Sequence, residues 1–280
     1  MGTLEGRVAM LTGAGGERGF GRAIARRLAA EGVDLVLTDI APTGLPAVTT
    51  KPPTGWGGLE AVAAEVKQHG RRAMTAVMDV RSAEQIDAVV ARALEGFGKI
   101  DILVNNAGAP WGRDRAPVVE LDEEAWDTVL DTNLKGTFLT ARAVARAMLA
   151  RRVRGRIVNM ASQWGKRGGA NRAAYCASKF GVVGFTQVLA LELAPAGITV
   201  NAVCPGAADT DRLDHLGRRE DGSYDDALRA ARIKQQGATI PLGRLATADD
   251  VVAVVAFLVS DAAEYLTGQS INVTGGSVMH

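Results

Sequence analysis

Residues 8–21 read Val8-Ala9-Met10-Leu11-Thr12-Gly13-Ala14-Gly15-Gly16-Glu17-Arg18-Gly19-Phe20-Gly21: an apolar run, then five glycines in ten residues, then the start of a segment with helical period. Glycines let a chain turn tightly and come close to an anion. A helix that opens directly from such a turn offers unpaired N–H groups and the positive end of its dipole. The stretch therefore reads as strand, phosphate-binding turn and helix. The strict G-x-G-x-x-G spacing is absent, and a P-loop, a methyl-donor site or simple tight packing also uses glycine. No Gly-Lys-Ser/Thr follows, which argues against triphosphate hydrolysis. Asp39 ends the next apolar run, 18 residues beyond Gly21. A carboxylate there can accept both hydroxyls of an adenosine ribose, although a turn or helix cap also uses aspartate.

Outward from this stretch, short apolar runs alternate with helical segments. Val8 to Leu11, Leu35 to Leu37, Met74 to Met78, Ile102 to Val104, Ile157 to Met160, Val200 to Val203 and Ile271 to Val273 read as seven strands. They are apolar at consecutive positions, as strands buried on both faces must be, which predicts a parallel sheet. Helical patterns lie near 20–31, 58–69, 82–96, 123–150, 173–195 and 247–260. The alternation predicts a doubly wound (Rossmann-type) α/β fold with helices on both faces and ligands at the carboxyl ends of the strands. No linker divides the 280 residues, so the expectation is one domain over 1–280. Composition is that of a globular chain, 47% apolar and 22% charged. The 32 basic residues nearly balance 31 acidic ones, which points to neither nucleic acid nor a membrane surface. No apolar run of about 18 residues is apparent, and Met1 to Arg7 lacks the pattern of a secretion signal, so a cytoplasmic location is expected. Cys176 and Cys204 have no metal-ligand or redox spacing and are read as reduced thiols; no metal is expected, His215 having no ligand company.

Tyr175 and Lys179 stand four apart in an apolar helical run, so phenol and ammonium can share one small volume. A tyrosine of pKa about 10 is a poor base at neutral pH, but a cation at about 4 Å is worth roughly 4 kcal/mol at an effective dielectric of ~20. Taken alone, the pair is also what a solvated helix face looks like.

These motifs together resemble the classical short-chain dehydrogenase/reductase family, from Arg7 to Gly276. Thr12, Gly13, Gly19 and Gly21 resemble its cofactor loop, and Asn105-Asn106-Ala107-Gly108 its Asn-Asn-Ala-Gly segment. Asn133 falls in a helix, Ser162 stands 13 residues before Tyr175, and Pro205-Gly206 follows the sixth strand. The resemblance implies an oxidoreductase transferring hydride between NAD(H) and a secondary alcohol or its ketone. Tyr175 would be the general acid/base and Ser162 would bond the substrate oxygen. Lys179 would lower the phenol's pKa and hold the nicotinamide ribose, and Asn133 would anchor a water linking Lys179 to solvent. It further implies cofactor contacts from Gly13, Arg18, Gly19, Phe20, Gly21, Asp39, Ile40, Asp79, Val80, Asn106, Ala107, Gly108, Tyr175, Lys179, Pro205, Gly206 and Thr210. A homotetramer is implied too, with the helices from Glu123 to Ala150 and from Ala173 to Ala194 as one interface. A non-catalytic dinucleotide-sensing or scaffold protein is the reading from another class, opposed by retention of all four catalytic residues. An extended-type epimerase or dehydratase is a third, opposed by the short region beyond the sixth strand.

Three features depart from the family pattern. The cofactor loop is two residues longer than usual. An irregular insertion at about 41–58 carries Lys51, Trp56, four prolines and four glycines, and reads as a cofactor flap, a subunit contact or a disordered loop. Thr274 stands where an aspartate is common. Cofactor choice is pulled two ways: Asp39 favours NAD, while Arg18, with Lys51, could hold the extra phosphate of NADP; NAD is expected to win. The substrate loop, about 207–240, is polar, and Arg212, Asp214, His215, Arg218, Arg219, Glu220, Asp221, Tyr224, Asp225 and Asp226 are expected to stand mostly in water. Trp111, Gln163 and Trp164 are expected to line the substrate pocket, the two indoles favouring a cyclic or aromatic substrate or a sugar ring.

Overall fold

The computed structural model of the chain describes residues 4–44 and 55–280. Seven parallel strands form one sheet: β1 (Val8–Thr12), β2 (Asp34–Asp39), β3 (Ala73–Val77), β4 (Ile102–Asn105), β5 (Arg156–Met160), β6 (Thr199–Pro205) and β7 (Ser270–Val273), in the order β3-β2-β1-β4-β5-β6-β7. The consecutive apolar runs have a simple physical cause. In β1, Ala9 and Leu11 pack on one face, against α1 (Phe20–Ala30), α2 (Gly58–Gln68) and α8 (Ala248–Val259). Val8 and Met10 pack on the other, against α3 (Ala83–Phe97), α5 (Gly136–Ala150) and α6 (Ala173–Leu193). Successive residues of a strand point to opposite faces, so a sheet covered by helices on both sides needs an apolar residue at each position.

The chain runs outward through β2 and β3, then returns to place β4 on the other side of β1. At this reversal the loops after β1 and β4 diverge and leave a crevice at the carboxyl edge of the sheet. Two further helices, α4 (Glu123–Leu130) and α7 (Asp226–Gly237), flank it.

Two expectations need correction. The stretch 123–150 is not one helix: between α4 and α5 a π turn, Asp131–Lys135, takes in an extra residue. At its end Gly136 rests on Val80, and a Cβ there would come within 2.7 Å of Val80 Cγ2. Secondly, Ala173–Ala196 is long and apolar enough to cross a membrane by length and composition, which the scan for apolar runs missed because Lys179, Glu192 and polar residues interrupt it. In this fold the helix packs against β6 and α4. The named polar residues of the substrate loop stand mostly in water, as expected, Arg212 and Asp226 among them. Arg218, Arg219, Glu220 and Asp221 are exposed, but Asp214 is buried between Arg18 and Arg229. Of the insertion, 45–54, with Lys51, lie outside the described residues.

Candidate active site

The glycine turn is shaped by close approaches that only a missing side chain allows. Gly13 has φ +69°, and a Cβ on it would sit 2.8 Å from Ala107 Cα; one on Gly21 would sit 2.1 Å from the Gly13 carbonyl oxygen. The turn is therefore wedged between the loop after β4 and the first turn of α1. Asn106 fixes that contact, its Nδ2 donating to the carbonyls of Thr12 (3.0 Å) and Gly13 (2.8 Å), while Thr12 Oγ1 accepts from the N–H groups of Asn106 and Ala107. Helix α1 starts after Gly19, which supplies no side-chain cap, so its first N–H groups remain for an anion.

Asp39 stands at the end of β2 beside this turn. Its Oδ2 accepts from the Gly15 N–H and its Oδ1 from the Ile40 N–H, both at 2.8 Å. Burial pushes its carboxyl above the ordinary value, against the pull of the Gly15, Ile40 and Ala41 N–H groups. The two described ends of the insertion close on the same turn. Gly44 packs against Gly15, and the Trp56 indole N–H donates to the Gly15 carbonyl (2.7 Å) beneath the guanidinium of Arg22.

A cleft of about 1110 Å³ runs from here along the carboxyl edge of the sheet. It is lined by Gly13, Gly19, Phe20, Gly21, Asp39, Ile40, Asp79, Val80, Asn106, Ala107 and Gly108 at one end, and by Pro205, Gly206, Thr210, Ser162, Tyr175, Lys179, Trp111, Gln163 and Trp164 at the other. Two expected site residues do not line it. Arg18 turns its guanidinium to the substrate loop, pairing with Asp211 at 3.1 Å and with Asp214, while its N–H donates to Asp211. It is thus not a free cation awaiting a phosphate. Asn133 is fully buried in the π turn. Its Oδ1 accepts from the Ala109 N–H (2.8 Å), its Nδ2 donates to Ser178 Oγ (3.0 Å), and its carbonyl accepts from Thr137 Oγ1 (2.7 Å). Ser178 in turn donates to the Tyr175 carbonyl (2.8 Å), so Asn133 ties the loop after β4 to the helix carrying the tyrosine.

Ser162 follows β5, and the first turns of α6 bring Tyr175 and Lys179 beside it. The Lys179 ammonium is buried and donates to the Met160 carbonyl at 2.7 Å. Burial pushes Lys179 down, the Tyr175 phenol pulling the other way. For Tyr175, burial acts to raise the phenol, but Arg212, then Lys179, the Ser162 hydrogen bond and Arg115 together hold it below its ordinary value. A phenol so placed gives up its proton more readily than a free tyrosine.

Sequence reading missed Arg115 and Arg172, and named Arg212 only among the polar residues of the substrate loop. Arg115 lies 4.2 Å from the Trp111 ring centroid and 4.6 Å from that of Tyr175; Arg172 lies over Trp111 (5.0 Å) and Trp164 (4.8 Å), and Arg212 over Tyr175 (5.9 Å). Their sequence signal was position alone: Arg172 precedes Tyr175 by three residues and Arg212 follows Thr210 by two. His215 also leaves solvent, stacking on Trp111 at 4.7 Å. Trp111 is thus crowded by three side chains, His215, Arg115 and Arg172. Trp111 lines the cleft, as expected, but with these side chains against its ring. Cys176 and Cys204 are both free and buried, and among the described residues no three His, Cys, Asp or Glu side chains gather as metal ligands.

The family model described as Enoyl-(Acyl carrier protein) reductase matches residues 13–278. The chain is 37% identical over 276 residues to sorbitol dehydrogenase of Cereibacter sphaeroides, covering 99% of each chain. It is 38% identical over 276 residues to the 3-oxoacyl-[acyl-carrier-protein] reductase FabG of Escherichia coli (strain K12), again covering 99% of each. Among solved structures it is similar to carveol dehydrogenase from Mycobacterium avium in complex with NAD, with a TM-score of 0.86, 34% identity and 99% of each chain covered. With likeness over nearly its whole length and the family's motifs gathered along one cleft, this chain belongs to the short-chain dehydrogenase/reductase family and is an oxidoreductase.

Proposed function

We propose that the chain, as one catalytic domain, transfers hydride between NAD(H) and a small secondary alcohol or its ketone. The observation that carries this reading is the convergence of Ser162, Tyr175 and Lys179 on a cleft whose other end is a glycine turn opening an uncapped helix. In the oxidative direction Tyr175, as phenolate, takes the hydroxyl proton while Ser162 holds the same oxygen; in reduction the phenol returns that proton to the carbonyl. When bound, the nicotinamide supplies the hydride acceptor or donor. Lys179 stabilises the phenolate through its charge, and Asn133 acts as a positioning residue. Gly13, Gly19, Phe20 and Gly21 would hold the pyrophosphate end, and Asp39 and Ile40 the adenosine ribose. Asp79, Val80, Asn106, Ala107, Gly108, Pro205, Gly206 and Thr210 would line the remainder of the dinucleotide.

The decisive experiment is Tyr175→Phe, followed by nicotinamide absorbance over a panel of alcohols and ketones. Turnover is expected to fall at least a hundredfold with NAD still bound by calorimetry. Turnover within tenfold of the parent would sink the mechanism.

NAD is proposed over NADP because Asp39 stands at the ribose end and Arg18 is engaged elsewhere; the NAD-bound relative lends support. A cytoplasmic homotetramer is proposed as well. Phe138, Leu149, Phe180, Val188 and Leu191 expose apolar surface on α5 and α6, suited to helix packing between copies. A monomer by light scattering at micromolar concentration would refute the assembly.

A further inference from the structure

We infer that the substrate, or the group next to its reacting carbon, carries an oxyanion, carboxylate or phosphate, held by Arg172 and Arg212 at the tyrosine end of the cleft. This rests on the reading of the cleft as the active site and goes beyond it by naming the substrate's charge.

Charges along the cleft are segregated. The substrate loop carries both signs, but three of its acids are engaged by other arginines: Asp211, which lines the cleft, pairs with Arg18, Asp214 with Arg18 and Arg229, and Asp209 with Arg229. What faces Tyr175 is cationic. Among the described residues no carboxylate forms an ion pair with Arg172 or Arg212. Among the described residues the Arg172 guanidinium makes no hydrogen bond to protein and the Arg212 guanidinium makes one, from Nη2 to the Ala109 carbonyl (2.6 Å). The third guanidinium, Arg115, is partly offset by Asp114 at 3.5 Å. That pair is poorly joined, for Asp114 Oδ2 and Arg115 Nε and Nη1 are buried without hydrogen-bond partners. His215 is disfavoured as a further cation: burial, with Arg172 and Arg115, pushes its pKa down against the hydrogen bond to the Arg212 carbonyl and the charge of Asp214.

The two tryptophans hold this arrangement in place. Arg115 and Arg172 lie over Trp111, and Arg172 also over Trp164. A guanidinium stacked on an indole keeps its N–H donors in its own plane, free at the edge for a planar oxyanion. Concentrating like charge in a half-enclosed cleft is unfavourable unless an anion completes it, and an arginine fork matches carboxylate and phosphate geometry.

The test is calorimetric titration of the full chain with benzoate, phenyl phosphate and benzamide, with and without saturating NAD. With NAD present, at least one anion should bind tenfold or more tightly than benzamide. In Arg172→Gln the difference should shrink to within threefold. Arg212→Gln is the second variant, melting temperature serving to check that each is folded. Stronger benzoate binding assigns a carboxylate, and stronger phenyl phosphate binding a phosphate. The inference is overturned if benzamide binds as well as both anions, if none of the three binds, or if the anion preference disappears when NAD is present, since the arginines would then serve the dinucleotide. None of these results bears on NAD-dependent oxidation of a neutral secondary alcohol and its loss in Tyr175→Phe, so the failure of one reading is distinguishable from failure of the other.

Discussion

Replacing Asp39 with serine is expected to shrink or reverse the proposed preference for NAD over NADP. For a carboxylate and a phosphate charge brought to about 4 Å, Coulomb's law gives roughly 4 kcal/mol at an effective dielectric of ~20. Asp39 is partly buried and lines the cleft, so residual screening by water reduces this to about 2 kcal/mol. Hydrogen bonds from ribose hydroxyls to a charged acceptor add about 1.5–3 kcal/mol to the side of NAD. Even the lower figures make the preference tenfold or more, at 1.4 kcal/mol per factor of ten. Opposing help from Arg18 is restrained, because its guanidinium is engaged by Asp211 and Asp214. The assay is kcat/KM with each cofactor in the parent, in Asp39→Ser and in Asp39→Ser/Asp211→Asn. The parent should favour NAD at least tenfold, the single variant should lose most of that, and the double variant, with Arg18 partly released, should move further toward NADP. Acidification gives an internal check. Burial raises the Asp39 carboxyl above its ordinary value, so the charge is lost earlier as pH falls and the preference should narrow on the acid side. A parent that prefers NADP, or an unchanged ratio in Asp39→Ser, would refute the reasoning.

Arg212→Gln should move the pH profile of alcohol oxidation toward higher pH: the Arg212 charge favours the phenolate of Tyr175, so its loss raises the phenol's pKa and delays formation of the base. A profile that stays in place, or shifts to lower pH, would remove Arg212 from the site's electrostatics. Asn133→Ala should cost about 1–3 kcal/mol, since the Ala109 N–H is left buried without an acceptor. For a chain of this size that is a fall of several degrees in Tm, measured by calorimetry; a variant as stable as the parent would show that the loop after β4 finds another acceptor.

Much of this architecture is written locally. Val8 to Leu11 reads as a doubly covered strand because burial on both faces leaves its mark on each residue, and three of the glycines that follow, Gly13, Gly15 and Gly21, are forced by distances of under 3 Å. Tyr175 and Lys179 are legible because one turn of helix places them together. The π turn is not legible, since a single extra residue at Asp131–Lys135 hardly alters the apolar rhythm of 123–150. Neither are the arginines: whether a guanidinium ends in water, on an indole or against a carboxylate depends on partners far away in sequence. Arg18 meets Asp211 across 193 residues. Composition counted that loop's charges correctly and could not tell which of them cancel.

The pairing of Arg18 with Asp211 and Asp214 also has a consequence for anyone grafting new specificity onto this scaffold. The glycine turn and the substrate loop form one wall of the cleft, stitched by ion pairs from the N-terminal to the C-terminal part of the chain. Exchanging 207–240 for the corresponding segment of another protein would leave Arg18 without its partners beside the dinucleotide. A transplant intended to alter only which alcohol is accepted would therefore reprogram the choice of coenzyme as well, unless both aspartates travel with it.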